Sequence, residues 1–209
     1  MQFNLLFYWF DIFGVVVFAI TRSLAAGKKR LDLFGGLVLA LVTALGGGTL
    51  RDVVLGNDPI FWIKDLTYIY FVAATALIVF VIARYRKIPE RTLLFADAFG
   101  LAVFSVLGAQ VALQEGAPAV VAIIMGMLTG VAGGIIRDVL TNEIPLILRQ
   151  EIYATAALAG ATAYIILSAF YSSSQFNLAV AALVTLALRL AAIKWKFSLP
   201  VFLTNQDKY

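Results

Sequence analysis

Sliding the 209-residue sequence along itself gives an ungapped match at an offset of 86 residues, which brings Asp138 onto Asp52. Gly47-Gly48-Thr49-Leu50-Arg51-Asp52-Val53 lies over Gly133-Gly134-Ile135-Ile136-Arg137-Asp138-Val139. The same shift places Asp11 on Asp97, Phe13-Gly14 on Phe99-Gly100, Phe18 on Phe104, Thr43 on Thr129 and Pro59 on Pro145. Chance rarely keeps register over such a stretch, so the chain is constrained to fold as two like units.

What those units are follows from their apolarity. Charged residues make up 13% of the chain and hydrophobic ones 62%, against about 25% charged in a soluble domain, so the solvent for this fold is a bilayer. At about 20 apolar residues per crossing, the chain divides into seven spans: Leu5 to Ala25, Leu33 to Leu55, Leu66 to Ala83, Leu93 to Leu113, Ala117 to Leu140, Glu151 to Phe170 and Phe176 to Ile193. Three spans per unit is an odd number, so the second copy enters the membrane from the opposite side. The expected fold is all-α: a polytopic membrane protein with seven transmembrane helices, an inverted three-helix repeat plus a seventh helix. The expected units are residues 1–86, 87–172 and, for the seventh helix and tail, 173–209. The first span is expected to be retained, because no basic residue precedes it, Asp11 lies inside it and its basic cluster follows it.

The basic residues sort by side. Arg22, Lys28, Lys29 and Arg30 follow span one, and Arg84, Arg86, Lys87 and Arg91 follow span three. Arg137, Arg149, Arg189, Lys194, Lys196 and Lys208 fall on that same side if the spans alternate, leaving only Arg51 and Lys64 opposite. The rule that positive loops stay inside then predicts the N-terminus outside and the C-terminus cytoplasmic. This distribution accounts for the formal charge of +4 without a nucleic-acid partner, since no single exposed face collects it. Phe61-Trp62, Tyr68-Ile69-Tyr70 and Trp195 read as interfacial belt.

The absence of His and Cys excludes a metal centre built on either, a thiol nucleophile, a disulfide framework and a Ser-His-Asp triad. No phosphate-loop pattern surrounds the glycines. No enzyme activity, cofactor or fixed metal is expected; the available chemistry is that of carboxylates, guanidinium groups, hydroxyls and backbone.

Those groups concentrate in spans two and five. Gly46, Gly47 and Gly48 in one, and Gly133 and Gly134 in the other, interrupt apolar helix, and glycine weakens a helix by roughly 1 kcal/mol per residue relative to Ala. Broken backbone survives in a membrane only where it is buried in protein or lines a wet cavity. Thr43, Gly47 and Arg51 are spaced by four, as are Thr129, Gly133 and Arg137, so each set follows one helix face. A second face, Ala40, Ala44 and Gly48 against Gly126, Gly130 and Gly134, has the small-residue spacing of close helix contact. Tight packing and path lining are both open readings of the glycines. Neighbouring residues do not face each other on a helix, so Arg51 and Asp52 each call for another partner. The expected clusters are Asp11 with Arg51 and Asp52 outside, and Asp97 with Arg137 and Asp138 inside. Anchoring at the headgroups is the plain alternative, and the duplication favours a pathway.

Seven spans in a three, three and one pattern, with Gly-Gly-Gly-Thr-Leu-Arg-Asp-Val at 46–53 and Gly-Gly-Ile-Ile-Arg-Asp-Val at 133–139, resemble the prokaryotic trimeric intracellular cation (TRIC) channel family. The resemblance implies a homotrimer in a prokaryotic inner (plasma) membrane. Each protomer would hold its own pore, lined by spans two and five kinked at the glycines and permeable to monovalent cations, with potassium favoured over sodium and bound only in transit. Residues carried over are Gly46 to Gly48, Arg51, Asp52, Gly133, Gly134, Arg137 and Asp138. The expected pathway adds the hydroxyls of Thr43, Thr49 and Thr129, with Asp11 and Asp97 as supporting ion pairs. The alternative is a secondary transporter for a small zwitterion such as glycine, because relatives of this branch have been linked to glycine uptake and an inverted repeat suits a carrier equally.

Overall fold

Each apolar run becomes a helix whose ends are set by local chemistry. The computed structural model describes residues 5–29, 31–85, 90–149 and 152–197. Helices α1 (Leu5–Lys28), α2 (Leu33–Leu55) and α4 (Thr67–Tyr85) form the first unit, with the single turn α3 (Phe61–Lys64) between the last two. Helices α5 (Glu90–Gln114), α6 (Ala119–Leu140) and α7 (Ala154–Phe170) form the second, with a 3-10 turn (Leu146–Leu148) in the place of α3; α8 (Ser174–Trp195) is the appended helix. Asp32 caps α2 by accepting a hydrogen bond from Gly35 N at 2.7 Å, and Gly56 ends it in the left-handed conformation (φ 73°). Pro118 precedes α6, and Ser173 caps α8. Six helices are long and apolar enough to cross a membrane, while α7, at 17 residues, spans about 26 Å at 1.5 Å per residue and sits at the lower limit of a crossing. The expected residues Arg30, Arg86, Lys87, Glu151 and Lys208 lie outside the described residues, as do the side chains of Lys28 and Arg91.

The two units meet through reciprocal contacts spaced by the repeat. Phe18 of α1 and Phe104 of α5 stack with centroids 4.9 Å apart. Phe104 packs where a side chain at Gly14 would stand, and Phe18 packs where one at Gly100 would stand. The α2–α6 crossing repeats the pattern: a Cβ at Gly133 would lie 2.6 Å from Thr43 O, and one at Gly47 would collide with Thr129 O. Each contact maps onto its partner when 86 is added or subtracted, as expected of two units related by a pseudo-two-fold axis. Outside the repeat, α8 packs on α5 and α7.

The glycines therefore settle into packing. Both α2 and α6 run as continuous α-helix through Gly46 to Gly48 and through Gly133 and Gly134, so the break expected there does not occur. Bare backbone at Gly47 and Gly133 lets the two helices touch main chain to main chain, and that contact offsets their weak helix propensity. The second small-residue face packs as expected: Gly126 and Gly130 receive the α5 backbone at Ser105.

Candidate functional site

Two clusters of charged side chains flank the α2–α6 crossing. At one end, labelled inner after the expected orientation, the α5 residue Asp97 is fully buried and accepts at one oxygen, Oδ1, from Arg137 Nη1 of α6 at 2.8 Å and from Arg22 Nη1 of α1 at 2.9 Å. Arg137 Nε also donates to Asp138 Oδ1 at 2.6 Å, and Asp138 Oδ2 accepts from Leu146 N at 3.0 Å, tying the 3-10 turn to the end of α6. The Arg22 guanidinium lies 4.5 Å from the centre of the Phe18 ring. Four charges in a dry interior are tolerable only when paired, and three helices converge to pair these.

The outer cluster is built on the same plan and is less complete. Arg51 Nε donates to Asp52 Oδ1 at 2.8 Å, and Asp52 Oδ2 accepts from Phe61 N at 2.9 Å, tying α3 to the end of α2. Phe61 fills the space over Gly48 and lies 5.5 Å beneath the Arg51 guanidinium. Asp11 accepts from Tyr68 OH at 2.8 Å and, among the described residues, forms no ion pair with Arg51. Further out, Asp65 accepts from Tyr8 OH and from Thr67 N, both at 2.9 Å. Hydrogen bonding by the Thr67 side chain, and then by its backbone, holds the Asp65 carboxyl below the usual carboxylate range.

Several expectations are corrected by this geometry. Arg51 with Asp52, and Arg137 with Asp138, do bond as neighbours: a four-atom arginine stem curls around the helix and reaches a carboxylate set 100° away. Asp97 joins Arg137 and Asp138 as expected; Asp11 lies within electrostatic reach of Arg51 and Asp52 but accepts its hydrogen bond from Tyr68. Thr43 and Thr129 are fully buried and give their hydroxyls to Leu39 O and Met125 O of their own helices; Thr49 bonds Leu45 O and accepts from Trp62 Nε1 at 3.0 Å. Trp62, Phe61 and Tyr68, expected as interfacial belt, also contact the cluster.

Two arginines assigned to the cytoplasmic surface belong inside. Arg22 is fully buried within α1, and Arg189 of α8 is 1% exposed, donating to Ile152 O at 3.3 Å with its guanidinium 4.9 Å from the Tyr153 ring centre. Arg22 lies six residues before the last residue of α1 and Arg189 six before that of α8, a depth that suits a snorkelling arginine as well as a buried one.

Comparison with known proteins places this arrangement. A family model described as "Glycine transporter" matches residues 8–84 and 94–169. The UPF0126 inner membrane protein YadS of Escherichia coli K12 is 47% identical over 97% of this chain and 99% of its own. The UPF0126 membrane protein YvgT of Bacillus subtilis is 32% identical over 91% of this chain and 93% of its own. Among solved structures, the TRIC channel orthologue from Rhodobacter sphaeroides superposes with a TM-score of 0.88 at 41% identity, covering 92% of this chain and 99% of that one. A TRIC channel from C. elegans shares the fold, with a TM-score of 0.60 at 14% identity over 90% of both chains. These solved neighbours are ion channels and not enzymes.

Proposed function

The chain belongs to the bacterial TRIC channel family, the UPF0126 membrane proteins, and from that premise we propose that it is a potassium-permeable cation channel acting as a homotrimer, with one pore in each protomer. The observation that carries the reading is the pair of Arg-Asp clusters at the two ends of the α2–α6 crossing, each tied to the turn that follows its helix. The path would run between the units along Thr43, Gly47 and Arg51 on one side and Thr129, Gly133 and Arg137 on the other. Thr49, Gly46, Gly48 and Gly134 would flank it, and Asp52 and Asp138 would raise the local cation concentration. In the present conformation this route is shut by packing at the crossing and by the buried inner cluster. Opening it requires the helices to separate there, and the glycine-rich turns are where α2 and α6 bend most readily.

The proposed setting is a prokaryotic inner membrane with the N-terminus outside and the C-terminus in the cytoplasm. Lys29, Arg84, Arg149, Lys194 and Lys196 are exposed at one end of the bundle, against Lys64 at the other. Lys29 Nζ reaches Glu143 Oε1 at 2.6 Å, which supports placing the ends of α1 and α6 on one side.

Purified protein in planar bilayers under opposed potassium and sodium gradients tests the channel reading. Unitary currents reversing toward the potassium potential are expected, and a folded trimer that passes none in sealed bilayers would refute it. The second reading, a carrier for a zwitterion such as glycine, is favoured by the matching family model and by one feature of the inner cluster. Arg22 Nε and Nη2 are buried without hydrogen-bond partners beside the Asp97 carboxylate, placing together both charges a zwitterion would need. Saturable counterflow of labelled glycine in proteoliposomes without unitary currents would select it.

A further inference from the structure

The two halves of the repeat differ at one position that decides the charge of each cluster. Adding 86 to Arg22 gives Gly108, so the second copy has no cation where the first has one. A side chain at Gly108 has no room: a Cβ there would lie 2.5 Å from Thr129 Oγ1 and 2.9 Å from Met125 O. Because the units are inverted, Arg22 serves the inner cluster and its missing counterpart would have served the outer one. At the inner end, Asp97 and Asp138 are balanced by Arg22 and Arg137. At the outer end, Asp11 and Asp52 face Arg51 alone, leaving one net negative charge.

The atoms carry the same asymmetry. Asp97 Oδ1 takes two guanidinium donors, whereas its repeat equivalent, Asp11, takes only the Tyr68 hydroxyl on Oδ2, and its Oδ1 is a buried oxygen without a hydrogen-bond partner. Arg22 in turn is held by charge more than by hydrogen bonding. It is fully buried, one nitrogen meets Asp97, and Nε and Nη2 are unpartnered, with Nη2 3.6 Å from where a Cβ at Gly133 would stand. A group so placed does what a bound cation does: it neutralises the carboxylate beside the helix crossing.

We propose that Asp11 is the outer seat for one monovalent cation, and that Arg22 is a tethered cation occupying the equivalent inner seat at Asp97. The proposal rests on the cation-channel reading and gives it a direction: the outer cluster admits an ion, and the inner one is blocked by a protein side chain until Arg22 withdraws. A single uncompensated charge matches a monovalent ion, and carboxylate with phenolic oxygen is suitable hard-oxygen coordination.

Rubidium, a stand-in for potassium, tests the proposal without reference to conduction. In wild-type crystals soaked in rubidium chloride, an anomalous peak is expected bonded to Asp11 Oδ1, with none at Asp97. Absence of the Asp11 peak, or equal peaks at both carboxylates, would overturn the assignment. In equilibrium dialysis of the detergent-solubilised protein, Asp11→Asn should weaken rubidium binding at least about tenfold, and Asp11→Glu should retain it. Unchanged binding in a folded Asp11→Asn protein also overturns the assignment, and if that variant does not fold, the wild-type crystals decide. Unitary currents with no ion at Asp11 would sink the seat and leave the channel; an ion at Asp11 without currents would do the reverse.

Discussion

Gly133→Ala places a methyl group in the α2–α6 crossing, and the structure sets the size of its effect. The new Cβ would lie 2.6 Å from Thr43 O, where ordinary contact begins at 3.4 Å, so the helices must part by a little under 1 Å. The obstacle is a backbone oxygen that cannot rotate away. Overpacking of this kind destabilises by about 1 to 3 kcal/mol, and the improved helix propensity of Ala returns about 1 kcal/mol. The net expectation is a loss of up to about 2 kcal/mol, or up to about 8 °C in melting temperature for a chain of this size. Gly27→Ala is the control: it is also helical, but a Cβ there meets nothing within 4 Å, so only the propensity gain applies and the melting point should hold or rise. The reciprocal Gly47→Ala makes a second test, because one outward displacement relieves both overlaps. The double variant should therefore lose less than the sum of the singles, by more than the roughly 0.3 to 0.5 kcal/mol within which independent sites add. Melting of the detergent-solubilised protein, followed by loss of the monodisperse peak in size exclusion, measures all four. A Gly133→Ala protein that melts as high above wild type as Gly27→Ala does, or a strictly additive double variant, would refute the reading of these glycines as a shared main-chain contact.

The remaining predictions concern charge. Asp97→Asn removes the carboxylate that both Arg22 and Arg137 engage; Arg137 keeps Asp138, but Arg22 is left as a buried cation without a counter-charge, which should destabilise by about 3 to 5 kcal/mol, read by the same melting assay. Lys29→Ala removes an exposed contact with Glu143, so the shift should stay below about 1 kcal/mol and shrink further in high salt. Asp65 titrates lower folded than unfolded, so its contribution is present above about pH 4, the unfolded value, and is lost as pH falls through the folded one. Melting curves between about pH 3 and 7 should show a shallower acid limb for Asp65→Asn than for wild type, and the difference should be small because the carboxyl is half exposed.

The fold was legible because two periodicities agree: apolar runs of bilayer length mark the helices, and the shift of 86 pairs them. Phe18 with Phe104, and Gly47 with Gly133, are partners in sequence and partners in space. What the glycines do was less legible. A glycine run weakens an isolated helix, and from the sequence alone that weakness reads as a break. In the folded chain the missing side chains are the means by which α2 and α6 approach, so the same residues strengthen the contact they were expected to loosen. The Arg51–Asp52 and Arg137–Asp138 pairs escaped for a different reason: face arguments use Cβ directions, and arginine's length frees its head from the direction of its stem.

Arg22 and Arg189 mark the deeper limit. A basic residue a turn or two from a helix end fits the topology rule and fits a buried ion pair equally well, because hydropathy averages over the distance that separates the two. The repeat supplies the missing discriminant for one of them. A topology determinant should sit in any loop of the right side, with no relation to the other unit, whereas Arg22 stands where its image is Gly108 and meets the carboxylate whose image is Asp11. Divergence between copies at a position packed against the symmetric core therefore carries functional information that likeness between them does not. The copies share carboxylates, hydroxyls and helix crossings, which suits the two-sided passage proposed above. Among the charged groups of the two clusters they differ in one guanidinium, and on the proposed assignment that difference leaves one side self-neutralised and the other open to a cation from solution.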